Sequence, residues 1–305
     1  MKHILGVNLG ATNIRAGVVS ADGEIILKSQ EKLKTHAKKR LEDFIFDFLE
    51  EILKKAEAKK LKVNGIGVGS PGPIDLKKGV IKEMPNFPEI QNWNFKKDLK
   101  EKFHLPIRIE KDSSATLLGE SWKGLAKGKA DVLLLALGTG VGGAALIDGR
   151  LLRGTSGEAA EFGHITVDSK GEKCGCGKKG CLEVYCGGKG IERMAREKGF
   201  KNKSAKEIFD LARQHNQKAE EIISQFKEAL KIGLGDLINI FNPELIILSG
   251  KIVQSSDLFL TEVRHDLKKF CFSSLLYDLK IKKSEMIDEA GLLGAAYLFF
   301  GTKPQ

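Results

Sequence analysis

Hydrophobic positions in the first third of the chain form short apolar runs and one long amphipathic segment. Apolar runs of strand length occur at HILGVNL, IRAGVVS, EIILKS, VNGIGVGS and IRIEK. The segment from about Lys38 to Ala58 repeats apolar residues at helical spacing, and it lies between the third and the fourth run. Strands interrupted by a helix in this order predict an α/β fold.

A second series of the same kind follows. The runs DVLLLALG and VGGAALIDG predict two further strands. A glycine- and cysteine-rich stretch comes next, and then patterns of helical period near Lys189 to Glu197, Ala205 to Gln214 and Lys218 to Phe241. LIILSG predicts one more strand, and EAGLLGAAYLFF predicts a final helix. No low-complexity linker separates the two series, so we expect two closely packed lobes.

Two stretches of the chain resemble each other. LGATNIRAGVVSADGEII and LGTGVGGAALIDGRLL both have Leu-Gly, a turn that contains threonine, an outgoing strand, an Asp-Gly turn and another strand. Asp-Gly between two strands favours a tight hairpin. One such unit at the start of each series suggests a duplicated fold with two similar lobes. Because glycine-rich hairpins are common, a chance likeness is the alternative at this point.

The composition is that of a soluble globular protein. The chain has 305 residues, of which 42% are hydrophobic and 30% are charged. This length favours two lobes over a single core. No apolar run approaches the roughly 20 residues that a membrane helix needs, and the first residues lack the apolar core of a signal peptide. We therefore expect a cytoplasmic protein without a membrane partner.

The net charge of the chain is positive. Lysine and arginine outnumber aspartate and glutamate by 50 to 40, a formal net charge of +10. The lysines lie in helical segments such as EEILKKAEAKKLK and do not alternate with aromatic residues. This distribution favours a solvated lysine-rich surface over a nucleic-acid interface, and it attracts anionic substrates in general.

The two glycine-rich turns have the composition of phosphate loops. Glycines let successive backbone N–H groups point at phosphate oxygens, and a threonine hydroxyl adds a donor. Two such turns facing each other would grip a triphosphate. The sequence lacks the Walker pattern G-x-x-x-x-G-K-[ST], and neither turn opens a helix as a Rossmann loop does. Each turn taken alone is a weak signal.

The strongest chemical signal is the segment EFGHITVDSKGEKCGCGKKGCLE. Cys174, Cys176 and Cys181 form a C-x-C-x4-C cluster, and His164 lies ten residues upstream. Three thiolates and one imidazole complete a tetrahedral zinc site without an open position, which indicates a structural metal. The alternative is a set of unligated cysteines in a glycine-rich loop; disulfides are not expected in the cytoplasm.

Several motifs together resemble one family over nearly the whole chain. They are GVGSPGPID, MPNF with Trp93, ALGTGVGG, GEAAEFGHITV, CGCGKKGCLE, NPELIILSG and AGLLGAA. The combination resembles the ROK family (repressor, open reading frame, kinase), which contains bacterial sugar kinases and sugar-responsive repressors. The cysteine signature together with E-F-G-H is the specific part of this resemblance.

The resemblance implies an architecture. It implies a two-lobed, actin-like ATPase (ribonuclease H-like) α/β fold with duplicated lobes and a zinc knuckle in the larger lobe. Residues 1–119 and 289–305 would form a small lobe completed by the C-terminal helix, and residues 120–288 the large lobe. Closure of the lobes would exclude water from phosphoryl transfer. Family members are commonly homodimers or homotetramers, and the same is expected here.

The resemblance also implies site residues. Asp112, in a segment similar to [ND]-D-x-N-x-A, would be the general base that accepts the proton of the sugar hydroxyl. From the residues alone, Asp112 is equally a typical helix N-cap. The residues implied in sugar binding are Gly72, Asn86, Asp112, Glu161, His164 and Glu183. Those implied in nucleotide binding are Asn8, Gly10, Thr12, Gly138, Thr139, Gly140 and Gly250.

The zinc cluster would brace the sugar segment. If His164 binds the metal through one ring nitrogen, the other nitrogen is left for a sugar hydroxyl. Glu183 lies two residues after Cys181, the last thiolate of the cluster. A hexose presents a ring of hydroxyls, which carboxylates and an amide recognise with geometric selectivity.

The sequence departs from the family pattern at the phosphate loop and beside the base. Asn8 stands where the loop pattern [IV]-D-x-G-[GA]-T has an aspartate, which in the related kinases helps to hold hydrated magnesium. An amide accepts a hydrogen bond from a magnesium-bound water but supplies no charge. Lys111 and Ser114 replace the usual asparagines around Asp112.

The resemblance implies an enzyme that uses ATP, Mg²⁺ and a structural Zn²⁺. The leading hypothesis is ATP-dependent phosphorylation of a hexose, glucose at its 6-hydroxyl. The alternatives are a kinase of N-acetylmannosamine or N-acetylglucosamine, and a fructokinase. A hypothesis of another class is a sugar-binding sensor with weak or no catalysis, because Asn8 replaces the phosphate-loop aspartate.

Overall fold

Two five-stranded sheets carry the fold. The computed structural model describes residues 2–10, 12–33, 38–84, 87 and 90–301. Within them the strands are β1 (His3–Leu9), β2 (Asn13–Ser20), β3 (Ile25–Lys32), β4 (Val63–Ser70), β5 (Ile74–Asp75), β6 (Val80–Glu83), β7 (Gln91–Trp93), β8 (Ile107–Lys111), β9 (Val132–Leu137), β10 (Val141–Ile147), β11 (Arg150–Leu151), β12 (Leu245–Ser249) and β13 (Lys280–Lys283).

Helices follow and separate these strands. They are α1 (Lys38–Ala58), α2 (Phe95–Phe103), α3 (Asp112–Lys123), α4 (Glu183–Cys186), α5 (Gly188–Glu197), α6 (Ala205–Arg213), α7 (Gln217–Phe241), α8 (Leu260–Asp266) and α9 (Ala290–Tyr297). Short 3₁₀ turns cover Phe162–His164, Lys251–Leu258, Leu267–Lys269 and Ser273–Leu276. In the described part of the chain, every helix is too short or too polar to cross a membrane.

The first sheet has the order β3-β2-β1-β4-β8. Its β1–β2 and β2–β3 pairs are antiparallel, whereas β1–β4 and β4–β8 are parallel. The central strand β1 is buried along nearly its whole length, and helix α9 packs on both β1 and β4. Gly67 of β4 permits this approach, since a methyl group there would lie 1.9 Å from the Ala295 carbonyl oxygen.

The second sheet repeats the first. Its order is β11-β10-β9-β12-β13, so the five strands stand in the same relation as β3, β2, β1, β4 and β8. The β9–β10 pair is antiparallel, and β9–β12 and β12–β13 are parallel. The Asp-Gly turn after β10 has positive φ at both Asp148 and Gly149, the backbone that a tight hairpin requires. The shared order confirms the duplication predicted from the two similar stretches.

The chain forms two compact units. The first comprises Met1–Gly128, Arg150–Ala159 and Asp288–Gln305, and the second Lys129–Gly149 and Ala160–Ile287. The resemblance instead assigned residues 150–159 to the large lobe. Two ion pairs explain their place in the first unit, because Arg153 pairs with Glu110 at 2.8 Å and Glu158 pairs with Lys82 at 2.8 Å.

Most predicted elements are present. The amphipathic pattern over 38–58 corresponds to α1, and the other predicted helices begin or end within a few residues of the observed bounds. The small antiparallel sheet β5-β6-β7 was not predicted. Its strands have two to four residues, too few for an alternating pattern to be recognised.

Candidate functional site

Four predicted zinc ligands lie together in the second unit. The ligand atoms of His164, Cys174, Cys176 and Cys181 are all within 4.8 Å of one another. Cys174 Sγ is 3.6 Å from His164 Nδ1, and Cys176 Sγ is 3.6 Å from Cys181 Sγ. Sulfurs bound to one zinc ion at about 2.3 Å stand about 3.8 Å apart. The four residues therefore fit a tetrahedral zinc ion, with the imidazole bound through Nδ1.

The backbone around the cluster holds the ligands on separate segments. His164 ends the 3₁₀ turn Phe162–His164, and Cys181 forms an isolated bridge with Thr166. Burial, together with the neighbouring thiols of Cys176 and Cys174, raises the pKa of the Cys181 thiol to about 12. A zinc ion would offset this preference for the protonated thiol, because its charge stabilises the thiolate.

The second phosphate turn, Gly138 to Gly140, lies between β9 and β10 and is held by the start of α5. Gly188 N–H donates to the Gly138 carbonyl at 2.8 Å, and Lys189 N–H donates to the Thr139 carbonyl at 3.0 Å. Among the described residues, no hydrogen bond involves the N–H of Thr139 or of Gly140. Such N–H groups in a glycine-rich turn are suited to phosphate oxygens.

Glu183 connects the zinc segment to this turn. It is the first residue of α4, two residues after Cys181. Its Oε2 accepts a hydrogen bond of 2.9 Å from the N–H of Val141, the residue that follows the turn. A methyl group at Gly140 would lie 2.1 Å from the same oxygen. The carboxylate implied in sugar binding therefore also supports the phosphate turn.

The segment 161–164, which the resemblance implies in sugar binding and which is called the sugar segment below, lies directly on β10. Gly163, in the middle of the Phe162–His164 turn, packs so closely on β10 that a methyl group there would lie 2.0 Å from the Val141 carbonyl oxygen. Phe162 is buried, and its ring is 5.6 Å from that of Phe241 on α7. These contacts fix the position of the segment that carries Glu161 and His164.

The predicted base lies in the first unit, where β8 meets α3. Asp112 is the first residue of the helix, and Lys111 occupies the N-cap position, so Asp112 is not the N-cap that the residues alone suggested. Asp112 Oδ1 accepts a hydrogen bond of 2.6 Å from Ser113 N–H. This bond fixes the carboxylate at the first turn of α3.

A charged pair that the sequence did not reveal lies beside the base. Glu110 is 2% exposed and accepts two hydrogen bonds from Arg153, from Nε at 3.1 Å and from Nη2 at 2.8 Å. Lys111 Nζ donates to the Ala159 carbonyl at 2.9 Å. Both contacts bind the segment that leads to Glu161 to the strand that leads to Asp112. The one signal in the sequence is a carboxylate inside the otherwise strand-forming IRIEK.

The first phosphate turn follows β1. Gly10 N–H donates to the Asn13 carbonyl at 2.9 Å, and Thr12 Oγ1 accepts from Asn13 Nδ2 at 2.9 Å. Asn8 lies against the beginning of α9, because a methyl group at Gly291 would lie 2.4 Å from its Nδ2. Its Oδ1 is buried and has no hydrogen-bond partner among the described residues.

The other predicted site residues lie on loops. Gly72 precedes Pro73 in a cis peptide bond between β4 and β5, and Gly250 follows β12 with φ of 90°. A methyl group at Gly250 would lie 2.4 Å from the Leu137 carbonyl oxygen, so the end of β12 is packed against the end of β9. Asn86 lies outside the described residues.

Comparison with known proteins gives three close likenesses. A glucokinase of Thermotoga maritima is 33% identical over 309 residues, covering 96% of this chain and 96% of that protein. A xylose repressor of Caldicellulosiruptor bescii is 30% identical over 305 residues, covering 95% of this chain and 76% of that protein. The structure of a ROK family glucokinase from Streptomyces griseus in complex with glucose and AMPPNP matches with a TM-score of 0.83 and 28% identity, covering 97% and 98% of the two chains.

The duplicated sheets and these likenesses place the fold in the actin-like ATPase class of α/β proteins. The model of the ROK family matches residues 4–301. The chain belongs to the ROK family.

Proposed function

We propose that this protein is an ATP-dependent hexose kinase that transfers the γ-phosphoryl group of ATP to the 6-hydroxyl of glucose. The observation that carries the proposal is the environment of Asp112, a carboxylate at the start of α3 with a hydrogen bond from Ser113 N–H. The similarity to two glucokinases supports glucose as the acceptor. Asp112 accepts the proton of the attacking hydroxyl as its oxygen bonds to the γ-phosphorus, while the bond from that phosphorus to the β–γ bridging oxygen breaks and ADP leaves.

The remaining roles divide between the units. Gly138, Thr139 and Gly140 bind nucleotide phosphates through backbone N–H groups, and Gly10 and Thr12 do so in the first unit. Glu161, Glu183 and the Nε2 atom of His164 bind sugar hydroxyls. Mg²⁺ accompanies ATP and supplies positive charge for the transferred phosphoryl group. Toward it this chain offers the amide of Asn8, whose Oδ1 is without a partner among the described residues.

A coupled assay of ADP release tests this proposal. Glucose, mannose, fructose, N-acetylmannosamine and N-acetylglucosamine are compared by kcat/KM. Turnover on glucose should be highest, and Asp112→Asn should lower kcat by roughly 10²- to 10⁴-fold, the usual contribution of a general base. Asp22→Asn, a change of the same type at an exposed position of the β2–β3 hairpin, should leave kcat unchanged.

A second candidate is a sugar-binding sensor without catalysis. Two observations favour it: the neutral Asn8 in the first phosphate turn and the similarity to a xylose repressor. Calorimetric binding of a sugar without ADP release from any sugar of the panel would establish the sensor and exclude the kinase. A preference for one of the N-acetylated sugars or for fructose would keep the kinase and change its substrate.

A further inference from the structure

Three features of the second unit meet at one residue of β10. The N–H of Val141 donates to Glu183 Oε2 at 2.9 Å. The carbonyl oxygen of Val141 leaves no room for a side chain at Gly163 of the sugar segment. A methyl group at Gly163 would lie 2.0 Å from that oxygen. Val141 also directly follows Gly140, the last residue of the phosphate turn. A displacement of Glu183 or of the sugar segment therefore acts on Val141, the residue directly after the turn.

The turn is also bonded to the segment that follows Glu183. Gly187 N–H donates to the Glu183 carbonyl at 2.8 Å, and the next two N–H groups, of Gly188 and Lys189, donate to the carbonyls of the turn. The side chain of Glu183 thus holds the residue after the turn, and its carbonyl is bonded to Gly187, which directly precedes the two residues that hold the turn itself.

We propose that Glu183 is a positioning residue that couples sugar binding to nucleotide binding within the second unit. One carboxylate oxygen, Oε2, holds the N–H of Val141, and the other is left for a sugar hydroxyl. A sugar bound at Oε1 fixes the carboxylate, and the fixed carboxylate orders the turn for phosphate. This inference rests on the proposed sugar and nucleotide sites, but it does not require phosphoryl transfer.

The coupling has a thermodynamic consequence that can be measured without turnover. If the sugar increases the affinity for nucleotide by some factor, the nucleotide must increase the affinity for sugar by the same factor. Coupling between two sites is typically 5- to 150-fold. For a link that depends on one charge-assisted hydrogen bond, we expect a factor of about 5–10, near the lower end of that range.

Calorimetric titration of the zinc-loaded full chain with AMPPNP, with and without saturating glucose, tests the coupling. In the wild type, glucose should lower the Kd of AMPPNP by about 5- to 10-fold. Glu183→Ala should weaken AMPPNP binding in the absence of glucose and bring the ratio of the two Kd values close to one. Glu183→Gln keeps an oxygen that can accept from Val141 N–H, so it should retain part of the ratio.

Two comparisons distinguish a coupling role of Glu183 from a role in sugar binding alone. Glu161→Gln should weaken glucose binding while the ratio, measured at saturating glucose, stays at the wild-type value. A Glu183 that only binds sugar would leave the affinity for AMPPNP without glucose unchanged in Glu183→Ala. That result, or a ratio of one in the wild type, overturns the inference.

Amide hydrogen exchange at saturating glucose gives a second readout, which reports the N–H of Val141 directly. Glucose should slow exchange of the Val141 N–H in the wild type and should not in Glu183→Ala. Unchanged exchange at Val141 with glucose bound would also contradict the coupling. If coupling is present but no sugar of the panel yields ADP, the inference stands and the proposed kinase function fails.

Discussion

The two glycine-rich turns that are predicted to bind phosphate follow equivalent strands of the two sheets, yet they are supported in different ways. The second turn is followed by Val141, whose N–H is held by the carboxylate of Glu183. The first is preceded by Asn8, a neutral side chain whose Oδ1 is buried without a partner among the described residues. With the same strand order, one turn has beside it the carboxylate of Glu183, which accepts a hydrogen bond. The other has beside it the amide of Asn8, whose oxygen accepts none from the described residues.

The duplicated halves therefore differ in how far their own residues satisfy the polar groups beside each turn. In the second unit the zinc cluster, Glu183 and the turn form one continuous set of contacts, so its geometry is built into the folded chain. In the first unit the oxygen of Asn8 is left without a protein donor within the described part of the chain, and leaving a buried polar atom unpaired costs about 1–3 kcal/mol. A ligand that donates to Asn8 Oδ1, such as a metal-bound water, would recover this free energy.

The largest expected effect comes from the zinc cluster, which only the second unit has among the residues described. Cys181→Ser should destabilise the second unit by at least about 3 kcal/mol, a fraction of the roughly 10–16 kcal/mol that structural zinc contributes in zinc-finger peptides. Hydrogen exchange measures this for each sheet separately. Exchange should accelerate at residues 132–147, whereas residues 3–20 should keep their protection.

Cys271→Ser is the matched control, because Cys271 lies outside the ligand cluster. It should leave exchange in both sheets unchanged. Equal loss of protection in both sheets of Cys181→Ser would contradict an effect confined to the second unit, and unchanged protection would contradict a structural metal at this cluster.

Two glycine substitutions of intermediate effect compare the halves directly. A methyl group at Gly67 would meet the Ala295 carbonyl oxygen at 1.9 Å, and one at Gly163 would meet the Val141 carbonyl oxygen at 2.0 Å. Overpacking against backbone typically costs about 1–3 kcal/mol. Gly67→Ala should therefore destabilise the first sheet, and Gly163→Ala the second, as measured by urea unfolding with hydrogen exchange.

The consequence for the turns should differ between these two variants. The methyl group of Gly163→Ala displaces Val141, the residue directly after the second turn. This variant should therefore bind AMPPNP more weakly than the wild type even under conditions where both proteins are fully folded. Gly128→Ala is the control for an added methyl group, because a methyl group at Gly128 meets nothing within 4 Å. The positive φ of Gly128, +73°, strains the backbone of this variant locally, and AMPPNP binding should not change. Equal AMPPNP affinity in Gly163→Ala and the wild type would show that β10 does not transmit the displacement.

Much of the fold could be predicted because its signals are local. The runs at residues 3–9, 63–70 and 107–111 coincide with β1, β4 and β8. The first two are central strands of the sheet, and central strands are rich in apolar residues because both of their faces are buried. The ligand spacing of Cys174, Cys176 and Cys181 is likewise local, and the structure brings these residues together with His164.

The rest of the site depends on contacts that are distant in sequence. Arg153 and Glu110 are 43 residues apart, and Glu183 and Val141 are 42 residues apart. Neither pair shares a helix or a strand whose period would reveal it. The family resemblance implies a role for Glu183, but the bond from Val141 N–H to Glu183 could be found only in the folded chain.

The smallest expected effect comes from restoring a carboxylate to the first turn. Asn8→Asp would place a charged acceptor where Oδ1 now has no partner among the described residues. Hydrogen bonds to charged groups are stronger than neutral ones by about 1 kcal/mol, or about fivefold in affinity. The Mg²⁺ concentration for half-maximal ADP release should therefore fall by about that factor.

The readout must distinguish a local charge from general electrostatics. Asn92→Asp adds the same charge at an exposed position of β7 and should leave the Mg²⁺ dependence unchanged. If turnover is too low to measure, the Mg²⁺ dependence of AMPPNP binding reports the same change. If Asn8→Asp has wild-type Mg²⁺ dependence in both assays, the neutral amide does not limit the use of Mg²⁺ at the first turn. The sequence difference between the two turns would then have no effect on nucleotide binding.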